Sequence, residues 1–78
     1  MTDYDNLIEV IKEHLDSIGM SQEQLSVLTE ISTQNLSLVF SGERKLQINE
    51  FIRICIAFDK QIQDFVKPKQ DLYDLFIV

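Results

Sequence analysis

Side chains able to make or break bonds are scarce in this chain. Its one histidine, His14, sits between Glu13 and Leu15 with no second histidine or cysteine at a metal-ligand spacing, so it reads as a half-exposed structural residue. Its one cysteine, Cys55, cannot form an internal disulfide, and between Ile54 and Ile56 it reads as a small buried hydrophobe. The carboxylates are scattered rather than paired, and no glycine-rich loop is present to cradle a phosphate. The sequence is therefore read as no enzyme, with no cofactor, no metal and no small-molecule substrate. The chemistry that remains is recognition. Residues 20–42, MSQEQLSVLTEISTQNLSLVFSG, are rich in hydroxyl and amide side chains and contain neither lysine nor arginine.

These polar groups must be carried by short helices. Leu7, Ile11, Leu15 and Ile18 recur three and four residues apart with acids and Lys12 between them, which predicts an amphipathic first helix ended by Gly19. Ser21 with Gln24 three residues on is a capping-box signature for a second helix, running to about Leu28 and turning Leu25 and Leu28 inward. Ser32 would cap a third, with Leu36 and Val39 in the core, Thr33, Gln34, Ser37 and Leu38 outward, and a stop near Ser41 and Gly42. Two short helices joined by a tight turn are the arrangement that sets its second helix in the DNA major groove. The missing lysines and arginines provide poorly for the electrostatics of that task.

After the charged loop of Glu43, Arg44 and Lys45, the run EFIRICIAF predicts a fourth helix from about Asn49 to Phe58, buried on most of its circumference, with Phe51, Ile54, Cys55 and Phe58 in the core. A short fifth helix would hold Ile62, Phe65 and Val66, and Pro68 ends it. The expectation is an all-α compact bundle of about five short helices, a domain over residues 1–67 followed by an apolar tail over 68–78. That tail, DLYDLFIV, places Leu72, Tyr73, Leu75, Phe76, Ile77 and Val78 together. Left in water they would form a large patch, so they either fold back on the core or form a dimer seam, the dimer being favoured.

With 78 residues the chain holds one small core near the lower end of what folds unaided. No apolar run approaches the ~20 residues of a membrane span, and the acidic start MTDYDNLIEV is unlike a signal peptide, so the expectation is a cytoplasmic protein with no membrane partner. The net charge is −6, and all of it lies in residues 1–42, where seven acids face Lys12 alone; residues 43–78 carry six acids and six bases. A solvated acidic surface that keeps the protein soluble and an acidic surface with a function both fit that distribution.

The sequence resembles the Cro and phage-repressor kind of helix-turn-helix, also called lambda-repressor-like, over about residues 11–66. IKEHLDSIGMSQEQL is similar to that family's first helix, glycine turn and second-helix start; ISTQNLSLVFSGERK to its third helix and glycine-basic loop; ICIAFDKQIQDFV to its closing helices. These degenerate apolar patterns specify a fold better than a target. The resemblance implies that Gln22 contacts backbone phosphate, that Thr33, Gln34 and Ser37 face the major groove, and that Arg44 and Lys45 reach the DNA backbone. Of these Gln34 is the best base reader, since its amide can donate to and accept from adenine together. The sequence departs from the family at Glu30, where glycine is frequent, at Leu38 and Phe40, where polar residues are usual, and at Asp16 and Ile18, which replace frequent lysines. Leu38 could touch a thymine methyl. Phe40 either tucks against Leu46 or the fourth helix, or joins Leu38 in a patch for a protein partner.

Three functions are weighed. The first is a transcriptional regulator binding a double-stranded DNA operator as a homodimer. The second is an acidic antirepressor that masks a partner repressor, with Glu23 and Glu30 supplying charge and Leu38 and Phe40 the apolar anchors. The third, and last in order, is an antitoxin whose tail grips a toxin.

Overall fold

A computed structural model of the chain describes residues 2–60 and 75–76. Four α-helices occupy the described residues: α1 (Asp3–Ser17), α2 (Gln22–Thr29), α3 (Thr33–Ser41) and α4 (Ile48–Ala57). The fifth helix expected around Ile62, Phe65 and Val66 lies outside the described residues. The all-α bundle is otherwise as the sequence implies, and no helix among the described residues is long and apolar enough to cross a membrane.

Hydroxyl caps start the first three helices. The Thr2 hydroxyl accepts from the Asp5 N–H at 3.1 Å while the Asp5 carboxylate accepts from the Thr2 N–H at 3.1 Å, closing a capping box with negative charge at the positive end of the helix dipole. Ser21 and Gln24 repeat the box on α2, and the Ser32 hydroxyl accepts from the Asn35 N–H on α3. On α4 the Glu50 carboxylate reaches back to the Gln47 N–H at 2.9 Å.

Left-handed residues follow the helices. Gly19 (φ 70°), Glu30 (φ 61°), Gly42 (φ 86°) and Asp59 (φ 55°) each break a helix and redirect the chain. After α1 the Met20 N–H bonds the Leu15 carbonyl and Gly19 that of Asp16; Glu43 to Leu38 with Gly42 to Val39, and Lys60 to Cys55 with Asp59 to Ile56, repeat the pattern. These are Schellman closures, which satisfy carbonyls the helix leaves open. Two are made by glycine as expected. Glu30 takes the same conformation without glycine's freedom, at a cost of about 1–2 kcal/mol.

The core collects Leu7, Ile8, Ile11 and Leu15 from α1, Leu25 from α2, Ile31 from the turn, Leu36 and Val39 from α3, Leu46 from the loop, and Phe51, Ile54, Cys55 and Phe58 from α4. α2 packs on both α3 and α4, and α1 on α3. The His14 ring meets that of Phe58 at 4.7 Å, consistent with its structural reading.

Three expectations are corrected. Ile18, expected to continue the inward stripe of α1, is 47% exposed because the helix has ended at Ser17. Leu28 is 57% exposed; Thr29, four residues after Leu25 and so on the same face, takes the buried place, its hydroxyl donating to the Leu25 carbonyl at 2.7 Å. α4 is not buried around most of its circumference, since Ile52, Arg53 and Ile56 are exposed and only one stripe faces the core.

Leu75 and Phe76, two of the tail residues, are buried in this chain's own core. The Phe76 ring lies 5.3 Å from that of Phe51 and edge-on to Tyr4 at 6.0 Å. The other tail residues, Leu72, Tyr73, Ile77 and Val78, lie outside the described residues. Tyr4 also accepts the Leu46 N–H at 2.7 Å, joining α1 to the α3–α4 loop.

A Cβ added at Gly42 would meet nothing within 4 Å, so the cost of Gly42→Ala is conformational alone. Urea denaturation should show Gly42→Ala less stable by about 1 kcal/mol. Glu30→Gly should be more stable by up to about 1 kcal/mol, with unchanged denaturant slope in both. No change in stability for either variant would mean that these turns carry no backbone strain.

Candidate nucleic-acid interface

The geometry of the candidate surface is set where α2 turns into α3. The Thr29 hydroxyl, buried, donates to the Leu25 carbonyl and accepts from the Ile31 N–H at 3.3 Å, so no buried polar group of the turn is left open. Glu30 in its left-handed conformation swings the chain, and Ile31 is driven into the core. With Leu25 and Leu36 fully buried against the same cluster, the two helices are held at one fixed angle.

That angle brings two of the expected recognition residues together. The Ser37 hydroxyl on α3 donates to Gln22 Oε1 at the start of α2, 2.9 Å away. This leaves the Gln22 amide N–H₂ as a directed donor, aimed by a bond between helices rather than free to rotate. Thr33 and Gln34 are exposed in the first turn of α3, and neither side chain has a hydrogen-bond partner among the described residues. Ser37 follows one turn later on the same side, so Gln22, Thr33, Gln34 and Ser37 form a polar, uncharged strip.

The basic residues stand apart from it. Arg44 and Lys45 follow Gly42 at the far end of α3, a helix about 13 Å long. Arg44 grips Glu50 through two parallel bonds, of 2.9 and 3.1 Å, the side chains being 29% and 12% exposed. Fork-to-fork pairing of this kind is the strong form of an ion pair. Lys45 sits 5.0 Å above the Tyr4 ring centroid, and Lys12 is shared between Glu9 at 3.3 Å and the Phe40 carbonyl at 3.5 Å. The contacts of Lys45 with the Tyr4 ring and of Lys12 with Glu9 are worth under about 1 kcal/mol each, so those lysines exchange partners easily. Arg44 does not.

Leu38 and Phe40 are each half-buried. Phe40 packs against the core and lines a recess with Tyr4, Ile8 and Glu9 of α1. Glu23 and Glu30 are exposed. Sequence reasoning missed Glu50 and Tyr4 as partners of the basic loop. Glu50 had a signal, since Gln47 followed by Glu three residues on is a capping pattern; Tyr4 had none, because its contact spans 42 positions. Among the described residues no group of three or more histidine, cysteine or acidic side chains could hold a metal ion.

Burial works to raise the pKa of the Glu50 carboxyl, yet the Arg44 hydrogen bonds, the Gln47 N–H and the charges of Arg44 and Arg53 outweigh it and hold the group below its ordinary 4.5. A lowered folded-state pKa contributes stability that is complete above the unfolded value and lost as pH falls through the folded one. Stability measured by urea titration should therefore be level from pH 7 to about 5 and decline below 4.5. Glu50→Gln should be less stable by about 1–2 kcal/mol at pH 7, with that gap narrowing in acid. A gap that stayed constant down to pH 3 would show that the ion pair is not its source.

A family model described as helix-turn-helix matches residues 11–65. No curated protein matches the chain. No solved structure matches it either. The matched span opens inside α1, contains α2, α3 and α4 entire, and covers well over half of the 78 residues, agreeing with the resemblance to the Cro and phage-repressor kind. The chain belongs to the helix-turn-helix family of DNA-binding regulators.

Proposed function

We propose that this protein regulates transcription by binding a double-stranded DNA operator as a homodimer, with α3 in the major groove and promoter occlusion as its mechanism. The observation that carries this reading is the Ser37–Gln22 hydrogen bond beside the unpartnered Thr33 and Gln34. In a helix-turn-helix, the exposed first turn of the second helix is the part that meets base edges, and the start of the first helix meets phosphate. Gln34 reads adenine through its bidentate amide, Thr33 and Ser37 add single bonds, and Gln22 donates to a phosphate oxygen. Two protomers read half-sites about one helical turn apart.

Affinity under this reading rests on few charges. Lys12, Arg44 and Lys45 from two protomers would neutralise roughly four to six phosphates, and the lower figure applies while Arg44 stays on Glu50. Helix N-termini and neutral hydrogen bonds supply much of the remainder. The protein acts in the cytoplasm, where such an operator is found.

The second reading is the acidic antirepressor, a helix-turn-helix that covers a partner repressor's basic DNA-reading surface instead of reading DNA. It is favoured by the absence of lysine and arginine from residues 20–42 and by the pairing of Arg44 with Glu50. An antitoxin that grips its toxin by the tail is disfavoured, since Leu75 and Phe76 are already buried.

Fluorescence anisotropy with duplex DNA from the protein's own upstream region, titrated with salt, separates the first two. The DNA reading expects selective binding over an unrelated duplex and a log–log salt slope of about −4 to −5. Gln34→Ala should cost about 1–3 kcal/mol on the selected duplex and little on the unrelated one. Absence of binding to either duplex at low salt overturns the DNA reading in favour of the antirepressor.

A further inference from the structure

The side of α2 turned away from α3 carries an apolar groove. Gln24, Val27 and Leu28 lie on the helix face opposite Gln22, and with Ile18, Gly19 and Met20 from the turn after α1 they enclose a groove of about 460 Å³. Val27 is 79% exposed, Leu28 57% and Ile18 47%. The turn that presents Ile18 and Met20 is rigid, being closed by the Met20–Leu15 and Gly19–Asp16 backbone bonds.

Two exposed carboxylates are close in the chain to the groove's lining residues. Asp16 precedes Ile18 by two residues and Glu23 stands one helical turn before Val27; both are exposed, and neither has an ion pair among the described residues. Lys12, the only base in residues 1–42, is held by Glu9 and the Phe40 carbonyl. A second copy of this chain would bring acid against acid here. The complementary surface is apolar in the centre and basic at the edges.

We infer that this groove docks an amphipathic helix of a partner protein, its apolar residues at i, i+3 or i+4, and i+7 seated against Val27, Leu28, Ile18 and Met20, with flanking lysine or arginine on Asp16 and Glu23. This is the helix-in-groove mode of recognition. The methionine adapts to the shape of the anchor. Because Gln22 and α3 lie on the other side of α2, the partner leaves the DNA-reading strip uncovered, and the inference does not rest on the DNA reading.

The test uses the full ¹⁵N-labelled chain and a synthetic helical peptide of about 15 residues with leucine at the three anchor positions and lysine elsewhere, beside a matched leucine/glutamate peptide. Saturable shifts at the amides of Ile18, Met20, Val27 and Leu28, weakening with added salt, are expected from the lysine peptide only. Val27→Ser, at an exposed position that leaves the fold intact, should weaken binding by about fivefold or more. Glu23→Gln should flatten the salt dependence, and Gln34→Ala should change nothing. Any of four results overturns the inference: no shifts at millimolar peptide, equal binding of the glutamate peptide, shifts spread over the acidic surface with no effect of Val27→Ser, or concentration-dependent shifts at the same amides without peptide.

Discussion

Three consecutive residues, Thr29, Glu30 and Ile31, fix the angle between α2 and α3, and everything offered on that side of the molecule depends on it. A strained left-handed residue persists only where its surroundings over-determine it. Here the surroundings are a hydroxyl bonded in both directions and two apolar side chains, Leu25 and Ile31, sunk in the core on either side. The strain at Glu30 is small beside the burial of those two residues, each worth about 2 kcal/mol or more. Only with the angle fixed does Ser37 come within reach of a glutamine fifteen positions earlier.

The electrostatics follow from the same economy of parts. α2 and α3 carry no cation, so their outer surfaces present hydrogen-bonding groups and the partial positive charge of their N-termini. Lys12 on α1 and Arg44 and Lys45 in the loop after α3 are engaged with an acid, a ring or a carbonyl. Arg44 thereby serves the fold first: it completes the start of α4 by neutralising Glu50, which is also bonded to the Gln47 N–H. A charge so used is slow to release, which makes the balance between structural and recognition roles of the basic loop a property of Glu50.

Helix ends and the centres of apolar stripes were legible in the sequence because they depend on neighbours three to five positions away. Ser21 with Gln24, Ser32, Gly19 and Gly42 mark their helices by local hydrogen bonding, and Leu25, Leu36 and Phe51 by spacing. The edges of the stripes were not legible. Periodicity cannot say that α1 stops one residue before Ile18, nor that a threonine, once bonded to the carbonyl four residues back, is a better buried residue than the leucine beside it. The polar strip was legible residue by residue through the resemblance, but the bond joining Gln22 to Ser37 needed the inter-helix angle. The occupation of Arg44 by Glu50 needed the loop path, and the place of Phe76 needed contacts spanning most of the chain.

Phe76 gives that last point a temporal meaning. Its ring bridges Tyr4, near the start of α1, and Phe51 in α4, so the aromatic cluster unites the earliest and latest described segments of the polypeptide. During translation the first four helices emerge from the ribosome well before this ring does, and until then the Tyr4 and Phe51 surfaces it covers face solvent. Completion of the hydrophobic core is thus deferred until this ring has been made, and polypeptides truncated before this position lack the side chain that covers Tyr4 and Phe51.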